Sequence, residues 1–468
     1  MNDHDDQRIE NELRKLDAQS SEPKPRPKKA KEIALVPDNP RIATIESPEK
    51  SCSYDEWQAT IKANFPDLLF SAELCLSIIS QILITDITNP FALVLVDVPS
   101  AGKTITLNFF AEIDQLTYAT DKFTPASFVS NAANVKKEKL AEVDLLPRIK
   151  NKVLIVRDLA TIFSKREEDL NELLGILTRV LDGEGLSTES GVHGDRHYTG
   201  EYLLMFLAAS TPIRPTVWKT MGSLGSRLFF LNMNSKDKSD DELADQLGTS
   251  TYKDKERLCR DATQRFVQTL WSQHPKGVQW DSGQDDRELK LIIAKCAQLL
   301  ARLRGVVNVH TDRGESGEIY SYTTPVVEKP DRINQLLYNL CRGHAVAAGR
   351  ISLNHEDMRY AVELAIDSAP TTRTKLLRQL LEVGGELSTK EVENLLNCSK
   401  PTAIKEMKTL KVLGLCRITE DSHGNVGEPE MKLILSSKLQ WFLTDECRAI
   451  RLLELIDKEN LPLWDAKN

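Results

Sequence analysis

Residues 94–110, VLVDVPSAGKTITLNFF, constrain this chain more than any other part of its sequence. An apolar run is followed by a short turn that contains Gly-Lys-Thr and then by helical spacing. Such a turn points backbone amides at one anion, while its lysine adds positive charge and its hydroxyl ligates Mg²⁺. A phosphate-binding loop is therefore predicted, formed by Pro99, Ser100, Ala101, Gly102, Lys103, Thr104 and Ile105.

The loop departs from the usual G-x-x-x-x-G-K-[ST] pattern, because Asp97 stands where the first glycine is expected. A carboxylate beside phosphates is electrostatically unfavourable. The first glycine mainly eases a turn, however, and aspartate tolerates unusual φ values better than most residues. Phosphate binding therefore remains the prediction.

Between residues 91 and 234, short apolar runs alternate with stretches of helical spacing. The runs are FALVLVDV, KVLIVRDL, YLLMFLAAST and RLFFLNM. Runs this apolar are typical of strands buried on both faces, and their alternation with helices favours a parallel sheet between helices. The predicted fold class is therefore α/β, with a nucleotide-binding core.

Polar groups follow two of these runs. Asp158 would hold metal-bound water or orient an attacking water, although Arg157 occupies the position where many ATPases carry a first aspartate. A hydroxyl of Ser210 or Thr211 would bond the attacking water or the terminal phosphate. The alternatives are that Asp158 caps the following turn and that the two hydroxyl residues only begin a turn before Pro212.

The order of these motifs, followed by LGSRLFF, resembles the AAA+ ATPases over residues 91–367. Within that class it is most similar to the branch of the minichromosome maintenance (MCM) helicases and magnesium chelatases. The resemblance implies ATP and Mg²⁺ as cofactors, with Thr104 and Asp158 on the metal. It also implies a homo-oligomeric ring with ATP between protomers, a hexamer being the expected size.

Two arginines receive roles from the same resemblance. LGSRLFFLNM is similar to the segment where MCM proteins place an arginine finger, so Arg227 would reach the γ-phosphate of a neighbouring subunit. Arg332 falls at the sensor arginine of a helical lid. The alternatives are that Arg227 is an ordinary surface cation and that Arg332 pairs with Glu328 or Asp331.

The segment GEGLSTESGVHGDRHYTGEY looks like the β-hairpin that such ATPases project into a central pore. His193 and Arg196 would contact DNA there. MCM hairpins typically present lysine and this one does not, and an inert loop is the alternative.

Residues 370–436 follow a different pattern, which resembles a winged helix-turn-helix. Ser388 and Glu391 predict a capping box, and Pro401 and Gly414 bound a further helix. That helix leaves Lys400, Thr402, Lys405 and Lys408 for solvent or for a DNA major groove. Such folds sometimes bind protein instead.

Length and charge set the remaining expectations. A chain of 468 residues exceeds one hydrophobic core, and its net charge of −8 excludes a protein whose whole surface coats nucleic acid. The eight cysteines show no zinc-ligand spacing, and the charged N-terminus and the lack of a long apolar run predict a cytoplasmic protein without a membrane segment. The predicted divisions are a disordered leader (1–50), an ATPase core (51–235), a lid (236–369), a winged helix (370–436) and a terminal helix (437–468).

The leading functional hypothesis is an AAA+ ATPase that acts on DNA as a motor or remodeller. The second is a DNA-bound regulator or loader that uses ATP as a conformational switch with little hydrolysis, which Asp97 and Arg157 favour. A chelatase-like motor with a protein or tetrapyrrole substrate is the third.

Overall fold

The computed structural model of the chain describes residues 39, 41–130, 139–190, 194–225, 227–235, 237–247, 252–314, 317–421 and 430–452. Most of the predicted leader and residues 453–468 of the predicted terminal helix lie outside the described residues.

Among the described residues of the first half of the chain there are seven strands, and five of them form a parallel sheet in the order β2-β3-β6-β1-β7. The remaining two, β4 and β5, pair with each other as an antiparallel hairpin. The strands are β1 Phe91–Val96, β2 Thr117–Thr120, β3 Val153–Val156, β4 Gly185–Ser190, β5 Gly194–Thr199, β6 Met205–Ser210 and β7 Leu228–Asn232.

The central strands β1, β3 and β6 are buried on both faces of the sheet, as their apolar runs predict. Leu93 and Leu95 of β1 belong to one hydrophobic cluster, whereas Val94 and Val96 belong to a second cluster on the other face. The α/β fold class, a parallel sheet between helices, is therefore confirmed.

Short helices surround the sheet, and the longest of them shows why it forms. Glu167–Val180 starts with three acidic residues and buries Leu170, Leu173, Leu174 and Leu177 along one face. The helices of this region are α1 Tyr54–Asn64, α2 Leu69–Ser80, α3 Lys103–Asn108, α4 Pro125–Phe128, α5 Leu140–Val143, α6 Leu145–Ile149, α7 Ala160–Phe163, α8 Glu167–Val180 and α9 Pro215–Leu224.

One segment around α2, Pro66–Leu83, is long and apolar enough to cross a membrane by composition alone. Because 83% of it is buried inside the protein, it packs as a core helix of the fold.

The region predicted as a lid is mainly helical and also contains a hairpin, β8–β9, that its irregular sequence spacing did not reveal. Its elements are α10 Asp240–Leu247, α11 Tyr252–Gln273, α12 Arg287–Leu303, β8 Val309–Gly314, β9 Gly317–Tyr322, α13 Asp331–Ala347 and α14 His355–Asp367.

The C-terminal module begins with helix, strand, helix and helix, and two further strands close a three-stranded sheet of order β10-β12-β11. The capping box of Ser388 and Glu391 is present, and Pro401 lies in the first turn of its helix. The elements are α15 Thr371–Glu382, β10 Glu386–Ser388, α16 Thr389–Leu396, α17 Lys400–Val412, β11 Cys416–Asp421, β12 Glu430–Leu435 and α18 Asp445–Leu452.

Arginines join the lid to this module. Arg373 donates to the carbonyls of Leu303 and Gly305 at 2.6 and 2.7 Å, and Arg302 donates to the carbonyl of Leu413 at 3.3 Å. Charged donors on otherwise orphaned helix-end carbonyls stabilise the junction.

Candidate nucleotide site

The carboxyl edge of the parallel sheet collects four of the predicted site residues. Lys103 follows β1, Asp158 follows β3, and Ser210 and Thr211 end or follow β6. Val96 pairs with Ser210 on one side of β1 and with Asn232 of β7 on the other, so these strand ends lie next to one another. Parallel sheets place ligands at this edge.

The loop after β1 has the backbone shape of an anion cradle. Ser100 and Gly102 have φ values of 67° and 86°, in the left-handed region, and such residues turn successive amides toward one point. At Gly102 the positive φ disfavours any side chain, and a Cβ would also lie 2.7 Å from Cδ2 of Leu68, which would have to move. Asp97 has no positive φ. The ability of aspartate to adopt unusual φ values, on which the sequence argument relied, therefore plays no part at this position.

Lys103 starts α3 and is only 8% exposed. Its ammonium donates to the carbonyls of Asp97 at 2.8 Å and of Val98 at 2.5 Å. Burial lowers the pKa of Lys103, while the nearby carboxylates of Asp97 and Asp158 act in the opposite direction. The ammonium is therefore hydrogen-bonded to carbonyls of the loop, and the charges of both acids act on its pKa.

The carboxylate of Asp97 accepts two backbone amides. Val98 donates to one oxygen at 2.7 Å, and Ser235, beyond the end of β7, donates to the other at 2.9 Å. The departure from the glycine pattern thus places a bonded side chain at the start of the loop.

Asp158 is exposed at the end of β3 and accepts the amide of Ala160 at 2.7 Å. Asp158 thus caps the following turn, as the alternative expects, and its charge also acts to raise the pKa of Lys103. Arg157 pairs with Asp121 at 3.2 Å and donates to Asn108 at 3.3 Å.

Ser210 is buried, and its hydroxyl donates to the carbonyl of Thr211 at 2.9 Å. Thr104, by contrast, is exposed at the start of α3. Among the described residues no group of three or more His, Cys, Asp or Glu could hold a metal ion. Mg²⁺ that arrives with phosphates needs only one or two protein ligands, so Thr104 and Asp158 fit this ion.

Arg227 and Arg332 lie at the other edge of the sheet. Arg227 directly precedes β7, and its Nε donates to Asp182 at 3.0 Å. Arg332 lies 3.9 Å from the same oxygen of Asp182, and burial together with the charge of Arg227 lowers its pKa. Arg332 therefore pairs with Asp182, not with Glu328 or Asp331 as the alternative expected.

A third arginine joins them. Arg179 pairs with Asp182 at 3.6 Å and with Glu184 at 3.3 Å. Together these side chains line a cavity of about 320 Å³ beside Asn89 and Pro90, at the entry to β1. Sequence analysis did not identify Arg179 and Asp182 as site residues. They stand in RVLDGEG at the end of α8, and one cation followed by one acid is too short a pattern to indicate a site.

The predicted DNA-contacting residues divide by location. Arg196 is 8% exposed and pairs with buried Asp144, whose carboxylate also accepts the hydroxyl of Tyr198 at 2.5 Å. Its guanidinium therefore anchors the hairpin and does not face outward. His193 lies outside the described residues.

On α17, Lys400 and Thr402 are exposed and Lys405 and Lys408 are half-buried. The ammonium of Lys405 lies 5.8 Å from the ring centre of Tyr320, and the hydroxyl of Tyr322 donates to its carbonyl at 3.2 Å. The β8–β9 hairpin thus packs against this helix at Lys405.

The sequence matches no protein-family model and no curated protein. Among solved structures, the chain is similar to a full-length MCM homolog from Methanopyrus kandleri, with 14% identity, a TM-score of 0.35, and coverage of 66% of this chain and 58% of that one. It is also similar to the SCCmec type IV Cch active helicase, with 10% identity, a TM-score of 0.35, and coverage of 84% and 72%. A third similar structure is that of Aeropyrum pernix ORC1 in complex with DNA, with 15% identity, a TM-score of 0.21, and coverage of 82% and 94%.

Similarity this low transfers nothing that those proteins bind or do. The chain also spans only 58% of the length of the MCM homolog. The fold assignment rests instead on the topology of the chain itself. The predicted phosphate loop follows β1, which lies between β6 and β7 in the strand order β2-β3-β6-β1-β7. A hairpin precedes β6 in the chain, and a mainly helical region follows β7. This is the α/β fold, a parallel sheet between helices, that the resemblance to AAA+ ATPases predicts.

Proposed function

We propose that this protein binds MgATP at the loop after β1 and hydrolyses it between copies of itself while acting on DNA. The observation that carries the proposal is the separation of two cationic groups. Lys103 lies at the carboxyl edge of the sheet, and Arg227 and Arg332 lie at the amino edge.

The separation follows from strand geometry. β1 has six residues and β7 has five, and at about 3.3 Å per residue the two edges are roughly 16 to 20 Å apart. An arginine side chain does not cover that distance. Arg227 and Arg332 therefore reach a γ-phosphate only on a neighbouring copy, and a head-to-tail contact of this kind forms a ring when the rotation between successive copies closes.

Within one site, each group has a separate task. The amides of residues 100–105 and the ammonium of Lys103 would hold the phosphates, and Thr104 and Asp158 would hold Mg²⁺. The ion neutralises charge on the phosphates when bound. Ser210 or Thr211 orients the attacking water, while Arg227 and Arg332 of the next copy stabilise the charge that develops on the transferred group.

The cavity beside the loop supplies room for the nucleoside. It is lined by Asp67, Phe70, Met233, Asn234 and Arg359, among others. Ser71 of the same wall lies 3.2 Å from Thr106 of α3, the helix that follows the loop, and this contact supports the assignment of the cavity to the nucleoside.

The C-terminal module is the proposed DNA-binding part, as a winged helix that presents α17. Lys400, Thr402 and Lys408 supply contacts to phosphates or base edges. Lys405 is held by the β8–β9 hairpin, so we assign it a weaker contribution than Lys408.

A second function, an ATP-dependent switch with little hydrolysis, is favoured by two features of the chain around Asp158. Asp158 caps the turn at Ala160, and Arg157 rather than a second acid precedes it. Both reduce the number of carboxylates free to activate water.

The test is the ATPase rate against DNA concentration, with the mass of the assembly measured with and without nucleotide. The proposal expects hydrolysis that DNA stimulates, a nucleotide-dependent oligomer, and loss of hydrolysis in Lys103→Ala. Tight ATP binding with negligible turnover would favour the switch, and turnover that DNA leaves unchanged would favour a chelatase-like motor. A folded protein that binds no ATP would contradict all three.

DNA contact is tested separately with Lys408→Glu, with Lys438→Glu outside α17 as the matched charge change. Weaker DNA binding and a smaller salt dependence in Lys408→Glu alone are expected. Equal effects in the two variants would remove α17 from the DNA interface.

A further inference from the structure

We propose that Asp97 is a positioning residue whose carboxylate holds the start of the phosphate loop against the chain leaving β7, presetting the loop for a triphosphate. This inference rests on the proposed nucleotide function and concerns a residue that departs from the usual loop pattern. It explains why glycine is not needed there.

The first step is conformational. The two loop positions with positive φ are Ser100 and Gly102, and Asp97 is not among the residues of that kind. Since Asp97 has a backbone conformation open to any residue, a side chain at this position carries no steric cost. Its place in the loop is therefore available for another role.

The second step is the pair of bonds. The amide of Val98 at 2.7 Å and the amide of Ser235 at 2.9 Å meet opposite oxygens of the carboxylate. Bonds from amides to an ionised acceptor are stronger than neutral ones. Ser235 lies 138 residues away, so the carboxylate connects two segments that are remote in sequence.

The third step is register. β1 and β7 pair up to Val96 and Asn232, and the amide of Met233 donates to the carbonyl of Val96 at 3.1 Å. The carboxylate of Asp97 adds one more connection beyond that point. The start of the loop is therefore bonded to the segment after β7, just as β1 is paired with β7 itself.

The fourth step concerns Lys103. In this structure its ammonium donates hydrogen bonds to the carbonyls of Asp97 and Val98. A bound phosphate would attract the ammonium away from them. The carboxylate tether does not depend on the ammonium, so it keeps residues 97 and 98 in place during that exchange. Because its oxygens face backbone amides, its charge is partly neutralised and repels phosphate less.

The experiment measures the affinity of a fluorescent ATP analogue for full-length Asp97→Ala, Asp97→Gly and Asp97→Asn, with Asp114→Ala as an exposed-acid control. We expect a loss of affinity of about 10- to 150-fold in Ala and Gly, which is roughly what one lost hydrogen bond to a charged group is worth. Asn keeps one acceptor and should fall between them and the wild type, and the control should bind normally.

Amide hydrogen exchange of peptides that contain Ser235, without nucleotide, provides a readout that a general stability effect would not produce. Faster exchange there in Asp97→Ala and Asp97→Gly, with unchanged exchange in the core strands, supports the tether. Tighter or equal ATP binding by Asp97→Gly would overturn the inference, because charge repulsion would then dominate. If Asp97→Ala fails to fold, Asp97→Asn decides by the same two measurements.

These results also separate this inference from the proposed function. A wild type that binds no ATP overturns the proposed function and with it any role for Asp97 in presetting the loop. A wild type that binds ATP, with variants that bind equally well and exchange equally at Ser235, overturns only the role of Asp97.

Discussion

Lys103 and Arg227 lie at opposite edges of the same five-stranded sheet. In the proposed function, a single copy would therefore carry half of one nucleotide site at each edge of the sheet. Two defective copies are expected to complement each other.

The first prediction is that Lys103→Ala and Arg227→Ala each lack hydrolysis, while an equal mixture recovers activity. In a randomly mixed ring, about one interface in four combines an intact loop with an intact arginine, so recovery of about a quarter of the wild-type rate is expected. The ATPase rate of the mixture after re-assembly measures it. Full activity of Arg227→Ala alone would contradict the assignment.

The second prediction concerns backbone strain at Ser100, whose φ is 67°. A side chain in this region costs about 1 kcal/mol, so Ser100→Gly should stabilise the protein by up to about that amount and leave ATP affinity unchanged or higher. Urea unfolding measures the gain. Gly102→Ala is the opposite change, because a Cβ there meets Leu68 at 2.7 Å, and it should destabilise.

The third prediction concerns Arg304, a buried cation between the sheet and the lid. It donates to the carbonyls of Ser368 at 2.7 Å and Leu228 at 2.8 Å, and burial lowers its pKa to about 10. Arg304→Met leaves both carbonyls without this donor and should lower the free energy of unfolding by about 2 to 4 kcal/mol. Denaturant unfolding checks this against Arg287→Met, an exposed arginine that should change little.

The fourth prediction is a pH dependence at Asp367. Burial, together with the charge of Glu363, raises the pKa of Asp367 from 3.8 to about 6, although Arg378 acts in the opposite direction. A pKa that is higher in the folded state means that the folded protein binds the proton more tightly. The stability from this proton is present below about pH 4 and is lost as pH rises through 6.

The unfolding free energy of the wild type minus that of Asp367→Asn should therefore fall between pH 4 and 6.5, by at most about 3 kcal/mol. Asp114→Asn, which changes an exposed acid, should show a nearly flat difference over the same range. A difference for Asp367→Asn that rises with pH would show that the pairing with Arg378 outweighs burial.

Four of the five strands of the sheet, and the loop, could be predicted from the sequence because their signals are local. The edge strand β2, Thr117–Thr120, has no apolar run and was not predicted. Apolar runs define strands buried on both faces, and Gly-Lys-Thr after one of them defines the turn. The strand ends that carry Asp158 and Ser210 follow from the same pattern. Each of these signals lies within about ten residues.

The contacts that decide side-chain roles are not local. Asp97 meets Ser235 across 138 residues, and Arg196 meets Asp144 across 52. Strand alternation puts Arg196 and Tyr198 on one face of β5, but only the fold shows that Asp144 lies beneath them. The same holds for Asp182, which no sequence pattern connects with Arg332.

Asp367 also bonds the amide of Asn232 at 3.0 Å, while Arg378 of the C-terminal module covers its other oxygen. Glu363 beside it is bonded by Arg378 and by Arg451 of α18. Truncation before α15 would remove the arginines that pair with both acids. A fragment that ends before α15 should therefore be less stable than the intact chain.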